Sequence, residues 1–283
     1  MTEKTARPVR IAQGIALFIA IVVTLRFTQY WLLTRRQPDN WLSTPSGLLI
    51  EEVIRAAIVI AATWAVARFE GTQATRFGMG GPHRVRLLLL GSLVGLISIA
   101  CVIAAQFIGG QVQLALEPTP WSEHLVNGVT LLAAFYAVGV FEEMLLRGYL
   151  QVALARGIGF WPAAVAWSAV FVWMHTGNDN ESLLGLAQTG WVALFFCLAL
   201  RLTGSLWWVI GYHALWDWGE SFVFGVPNSG LLFEGRLMTA SPVGPALWSG
   251  GAGGPEASLW SLFVLVLPVA ALLIGRRGNA DVT

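Results

Sequence analysis

Charge is what this sequence has least of. Its 283 residues include 17 basic and 16 acidic side chains, so charged residues make up 12%, about half the roughly 25% of a soluble domain. So little polar surface cannot cover a water-soluble globule of this size. The formal net charge of +1 excludes a basic nucleic-acid face and points to no charged partner. Cysteine is scarce as well. Cys101 and Cys197 both lie in apolar runs, too few for a disulfide scaffold or a zinc ribbon, and they read as small buried hydrophobes. There is no internal repeat and no low-complexity tract. Also absent are the Gly-x-Ser-x-Gly nucleophile elbow and the His-Glu-x-x-His zinc motif.

What is abundant is apolar. Hydrophobic residues make up 56% and the mean hydropathy is +0.66. The expected fold class is all-α, a polytopic membrane protein read as a single integral domain over 1–283. A spanning helix needs roughly 20 mainly apolar residues, and about eight stretches qualify. They lie near Ile11–Leu33, Gly47–Arg68, Leu87–Ile108, Leu125–Leu154, Phe160–Met174, Leu183–Leu202, Ser205–Phe222 and Leu259–Gly275. The first is too long for a cleavable signal peptide, contains Arg26 and lacks a cleavage pattern. The Gly- and Pro-rich stretch Gly225–Ser258 reads as a loop. Arg residues gather in alternate connections (Lys4 to Arg10, Arg68 to Arg86, Arg156, Arg201, Arg276–Arg277). Acidic residues occupy the others (Glu117, Glu123, Asp179, Glu181, Glu234, Glu256), with Arg35 and Arg36 as exceptions. The positive-inside rule then puts both termini in the cytoplasm. With no organellar signal, the bacterial inner membrane is the expected location.

Ionisable residues inside spans are costly and are functional candidates by default. Four clusters qualify. Glu51, Glu52 and Arg55 lie near a span end, where an interfacial pair with snorkelling side chains is the expectation. Glu142, Glu143 and Arg147 are flanked by long apolar runs. Glu143 and Arg147, four apart, share a helix face and can pair. Glu142 is rotated about 100° away and is left free for chemistry. His175 ends the fifth span, on one face with Phe171 and Ser168. His213 and Asp217, four apart, point into one space in the seventh.

Helix rise connects these clusters. Glu142 and His175 both lie roughly 22–24 Å from the turn near Gly157–Gly159, and His213 and Asp217 roughly 14–20 Å from the turn near Gly204. Three spans therefore bring two carboxylates and two imidazoles to similar depth. A carboxylate beside a histidine in a dehydrated cavity can activate water, and a second histidine with a polar partner can stabilise an oxyanion. These are the parts of a hydrolase acting on a carbonyl such as a peptide bond.

Glu142-Glu143-Met144-Leu145-Leu146-Arg147 resembles the Glu-Glu-x-x-x-Arg motif of the CAAX-protease and bacteriocin-processing (abortive-infection) family, whose members include the Ras-converting CAAX endopeptidase. Phe171-Val172-Trp173-Met174-His175 matches its Phe-x-x-x-His motif. His213-Ala214-Leu215-Trp216-Asp217 matches a variant of its His-x-x-x-Asn motif. The motif-bearing core is about 125–220, a third of the chain. The resemblance implies an intramembrane peptidase of the glutamate type. Glu142 and His175 would activate water and His213 with residue 217 would form the oxyanion site, with Glu143 and Arg147 in support. An ionised Asp cannot donate a hydrogen bond as an Asn amide does. Asp217 is therefore protonated, orients His213, or helps bind a metal. A metal-free Glu–His site is the favoured expectation, with no cofactor, because the spacing fits no zinc template. A zinc-dependent version is the alternative, since two His and one or two carboxylates suffice as ligands by type. The expected partners are membrane lipids and a membrane-anchored protein or peptide substrate, with no nucleic acid. Trp173, Trp216 and Trp218 are candidates to line a lipid-facing cleft. Two other readings compete: a non-catalytic binding or immunity protein of the same fold, and a transporter, which would need inverted repeats or paired broken helices, neither of which the sequence shows.

Overall fold

The computed structural model describes residues 3–270 and 272. Among the described residues ten α-helices and two strands follow the order α1 (Glu3–Leu32), α2 (Pro45–Glu70), α3 (Arg84–Ile108), β1 (Val112–Leu116), α4 (Trp121–Glu143), α5 (Gln151–Ile158), α6 (Phe160–His175), α7 (Leu183–Thr203), α8 (Leu206–Trp218), β2 (Met238–Pro242), α9 (Ala246–Ser249) and α10 (Leu259–Val264). Four helical stretches, Val9–Arg36, Arg84–Ile108, Trp121–Ile158 and Leu183–Thr203, are long and apolar enough to cross a membrane. Their outer faces are apolar too. Leu89, Leu93 and Ile97 form an exposed stripe on α3, and Leu125 and Val129 do so on α4. Such a surface is unstable in water and suits lipid. The chain is an all-α polytopic integral membrane protein.

Local chemistry sets the helix ends. Thr44 and Ser182 cap α2 and α7 by accepting from the Gly47 and Gly185 N–H. The turns expected near Gly159 and Gly204 are there, each at positive φ (91° and 67°), which only glycine adopts without cost. The expected fourth span is interrupted. After Glu143 the backbone widens into a π-helical segment, Met144–Leu150, and Gly148 leaves helical geometry (φ −77°, ψ −117°) before α5 resumes. A similar π segment, Gly219–Phe224, follows α8. The expected 225–258 loop contains β2, which pairs antiparallel with β1, Val112 opposite Pro242 and Leu116 opposite Met238. With its partner so distant in sequence, no hairpin signal marks it. The last expected span is helical over Leu259–Ala270. Its remainder and Arg276–Arg277 lie outside the described residues.

Helices α3 and α8 lie closest. A Cβ on Gly91 would meet the Trp208 carbonyl oxygen at 2.0 Å, one on Gly95 the Tyr212 oxygen at 2.2 Å, and one on Gly211 the Leu88 oxygen at 2.2 Å. Small residues four apart permit this backbone contact, the usual way to gain packing energy where lipid removes the hydrophobic drive. Polar contacts tie both ends of the bundle, the one with the arginine-rich connections and the one with the acidic connections. At one end Arg156 pairs with Glu70 (2.6 Å), and Leu206 N–H and Trp207 Nε1 donate to the Gly78 and Met79 carbonyls. At the other, Glu117 pairs with Arg236 (3.2 Å) and Asn40 donates to Glu234. Arg35, exceptional in the sequence, lies over the Trp31 ring at 3.9 Å.

Candidate active site

Three apolar clusters form the core. One is built on α1, α2, the first π segment and α6, a second on α3, α7 and α8, and a third on α2, α4 and the 222–233 stretch. They meet around one cavity of about 730 Å³, to which Phe141, Phe171, Phe196, Tyr212, Phe135 and Phe233 contribute walls. Glu142, His175, His213 and Asp217, expected from helix rise alone to share a depth, all line it. Its exposed lining residues, Asp39, Asp179 and Leu231 among them, mark its mouth.

Glu142 and Glu143 are the last residues of regular helix before the π segment, a feature common at functional sites. Their side chains diverge as spacing requires. Glu143 is fully buried and its Oε1 accepts from Arg147 Nη1 at 3.2 Å. The same oxygen accepts from His213 Nδ1 at 2.9 Å, a contact that spacing along the chain does not reveal. Arg147, 1% exposed, is sandwiched between the Phe171 and Phe196 rings (4.4 and 5.6 Å). Glu142 faces the cavity with its side chain 21% exposed, and its Oε2 lies 3.7 Å from His213 Nε2. Asp217 Oδ2 is on the same side of that ring, 3.4 Å from Nε2. Of the roles left open for Asp217, orienting His213 through Nδ1 therefore falls to Glu143 instead.

The ring contacts define tautomers. His175 Nδ1 lies 2.8 Å from the Phe171 carbonyl oxygen. A carbonyl only accepts, so Nδ1 carries the proton and Nε2 of the neutral ring keeps its lone pair. His213 Nδ1 donates to Glu143. Its Nε2 can offer a proton only as imidazolium, and Glu142 and Asp217 are then its acceptors.

The Glu51–Glu52–Arg55 cluster corrects the sequence reading. Its carboxylates do not snorkel to solvent. Glu51 and Glu52 are 0% and 4% exposed, and Glu52 and Arg55 line the cavity. The expected Glu52–Arg55 pair does form, at 2.7 Å, while Glu51 joins Arg55 (3.4 Å) to Arg26 (3.2 Å). Arg26, isolated in its span by sequence, thus has a counter-charge. Of the three tryptophans, Trp216 lines the cavity, Trp173 is 71% exposed on the outer face and Trp218 donates to the Gly128 carbonyl.

Among the described residues no group of three or more His, Cys, Asp or Glu could hold a metal ion.

No curated protein matches the chain. A family model does: the one described as type II CAAX prenyl endopeptidase Rce1-like matches residues 125–219. That stretch holds Glu142, Glu143, Arg147, His175, His213 and Asp217, whereas Glu52, Arg55 and Glu256 fall outside it. Across 125–219 the chain is thus similar to the CAAX-protease family.

Proposed function

We propose that the protein is an intramembrane endopeptidase of the glutamate type. It would hydrolyse a peptide bond in a membrane-associated protein or peptide within the cavity shared by α4, α6 and α8. The carrying observation is the convergence of Glu142, His175, His213 and Asp217 on that cavity, inside the family-matched stretch. Glu142, with no structural ion pair to an arginine, is the base that takes a proton from water, and the lone pair on His175 Nε2 orients or shares that proton. His213, held through Nδ1 by Glu143, presents Nε2–H to the carbonyl oxygen as it gains charge, and Asp217 completes that site. Arg147 fixes Glu143 and does not touch substrate. The metal-free step is complete as written: water attacks, its proton passes to Glu142, and Glu142 returns it to the leaving amine.

The basic end faces the cytoplasm by the positive-inside rule, so the cavity mouth opens on the opposite face, in a bacterial inner membrane. The test is cleavage of membrane-anchored reporter peptides by purified protein, before and after exhaustive chelation. Turnover that survives chelation and disappears in Glu142→Gln supports the reading. Turnover restored only by added zinc, or undiminished in Glu142→Gln, overturns it.

A further inference from the structure

The near-neutral chain hides a strongly asymmetric cavity. Six carboxyl groups line it: Asp39 and Asp179, both exposed, Glu256, which accepts from Trp216 and Ser229, Glu52, and Glu142 and Asp217, which share His213. Arg55 is the one arginine or lysine among the lining residues, and its charge is already taken by Glu51 and Glu52. A low-dielectric cleft lined by one sign of charge concentrates ligands of the other sign. A second observation indicates what the ligand is. Gln188 of α7 lines the same cavity and is 3% exposed, yet neither its amide oxygen nor its amide nitrogen has a hydrogen-bond partner. A buried amide left unpaired on both sides is costly. One acceptor and one donor on a short planar group match the N–H and C=O of an extended peptide.

We propose that the cavity selects a peptide segment bearing lysine or arginine, with Gln188 holding its backbone and the carboxylates of the mouth reading its positive side chains. The proposal rests on the peptidase reading for what happens next, but not for binding. The experiment is therefore binding of three labelled, uncleaved peptides to the full chain in detergent, identical except for Lys, Gln or Glu at two positions. The Lys peptide should bind roughly tenfold or more tightly than the Glu peptide at low salt, on the scale of a like-signed cleft, and the gap should close in high salt. Asp39→Asn with Asp179→Asn should shrink the gap, while Gln188→Leu should weaken all three peptides alike, by roughly tenfold for two lost backbone bonds. Equal binding of the three peptides by the unaltered protein would overturn the proposal, as would a gap indifferent to salt and to the Asp39/Asp179 variant. If the Lys peptide binds selectively but no reporter is cut, the peptidase reading fails and the selectivity stands. If reporters are cut without regard to charge, the reverse holds.

Discussion

Adjacent glutamates with the same chemistry should fail in different ways. Glu143 is 0% exposed and supplies the one hydrogen bond made by Arg147, whose Nε and Nη2 have no partner. Removing its charge leaves a guanidinium buried and uncompensated, which costs about 3–5 kcal/mol. Glu142 holds no arginine and its side chain is partly exposed to the cavity, so Glu142→Gln should change stability by no more than about 0.5 kcal/mol. Loss of the general base should nonetheless lower turnover by about 10²–10⁴. Glu143→Leu should unfold at markedly lower temperature in detergent. Glu143→Leu with Arg147→Met should recover most of that loss, because replacing a buried ion pair by apolar residues of similar volume is often neutral. The double variant should still be slow, since His213 Nδ1 has lost its acceptor. Thermal unfolding by fluorescence and reporter cleavage, measured on all four proteins, decide the matter. Equal unfolding temperatures for the Glu142 and Glu143 variants, or a double variant no more stable than Glu143→Leu, would refute the division of roles.

Three further outcomes are expected. Asp217→Asn supplies a permanent donor beside His213 Nε2 and should keep activity near wild type across pH, whereas Asp217→Ala should cost about 10²–10³ in turnover; a folded but inactive Asn variant would remove residue 217 from the oxyanion site. Gly95→Val should push α8 away at Tyr212, the neighbour of His213, with an overpacking loss of about 1–3 kcal/mol and a larger fractional loss of cleavage than of folded protein; an unaltered unfolding temperature would show that α3 and α8 do not meet there. At the acidic end, hydrogen bonds from Thr239 and Arg236 hold the Glu117 carboxyl below its ordinary range. Its support for the strand pair is therefore full above the unfolded-state value and is lost as pH falls through the lowered one. Spin labels at Gln113 and Ser241 should separate in acid and be less pH-sensitive in Glu117→Gln.

The class of protein, the breaks near Gly159 and Gly204, and the side chains that share the cavity are legible in the residues alone. Each follows from a local rule: apolar run length, the freedom of glycine at positive φ, and helix rise and rotation. Glu143 pairing with Arg147 was legible because partners four apart in a helix must meet. The three motifs also named the family before any fold was known. The tertiary structure decided the rest. That Glu143 also holds His213, and that α2 delivers Glu52 and Arg55 to the cavity, depends on how separate helices turn toward one another. The close approach of α3 to α8 at Gly91, Gly95 and Gly211 sets part of that geometry. A near-zero net charge could not reveal that carboxylates gather on one cavity, because summing charge along a chain discards the positions that produce a field. The pairing of β1 with β2 lay equally beyond reach, since period and propensity act over a few residues and the two strands are joined only by the fold between them.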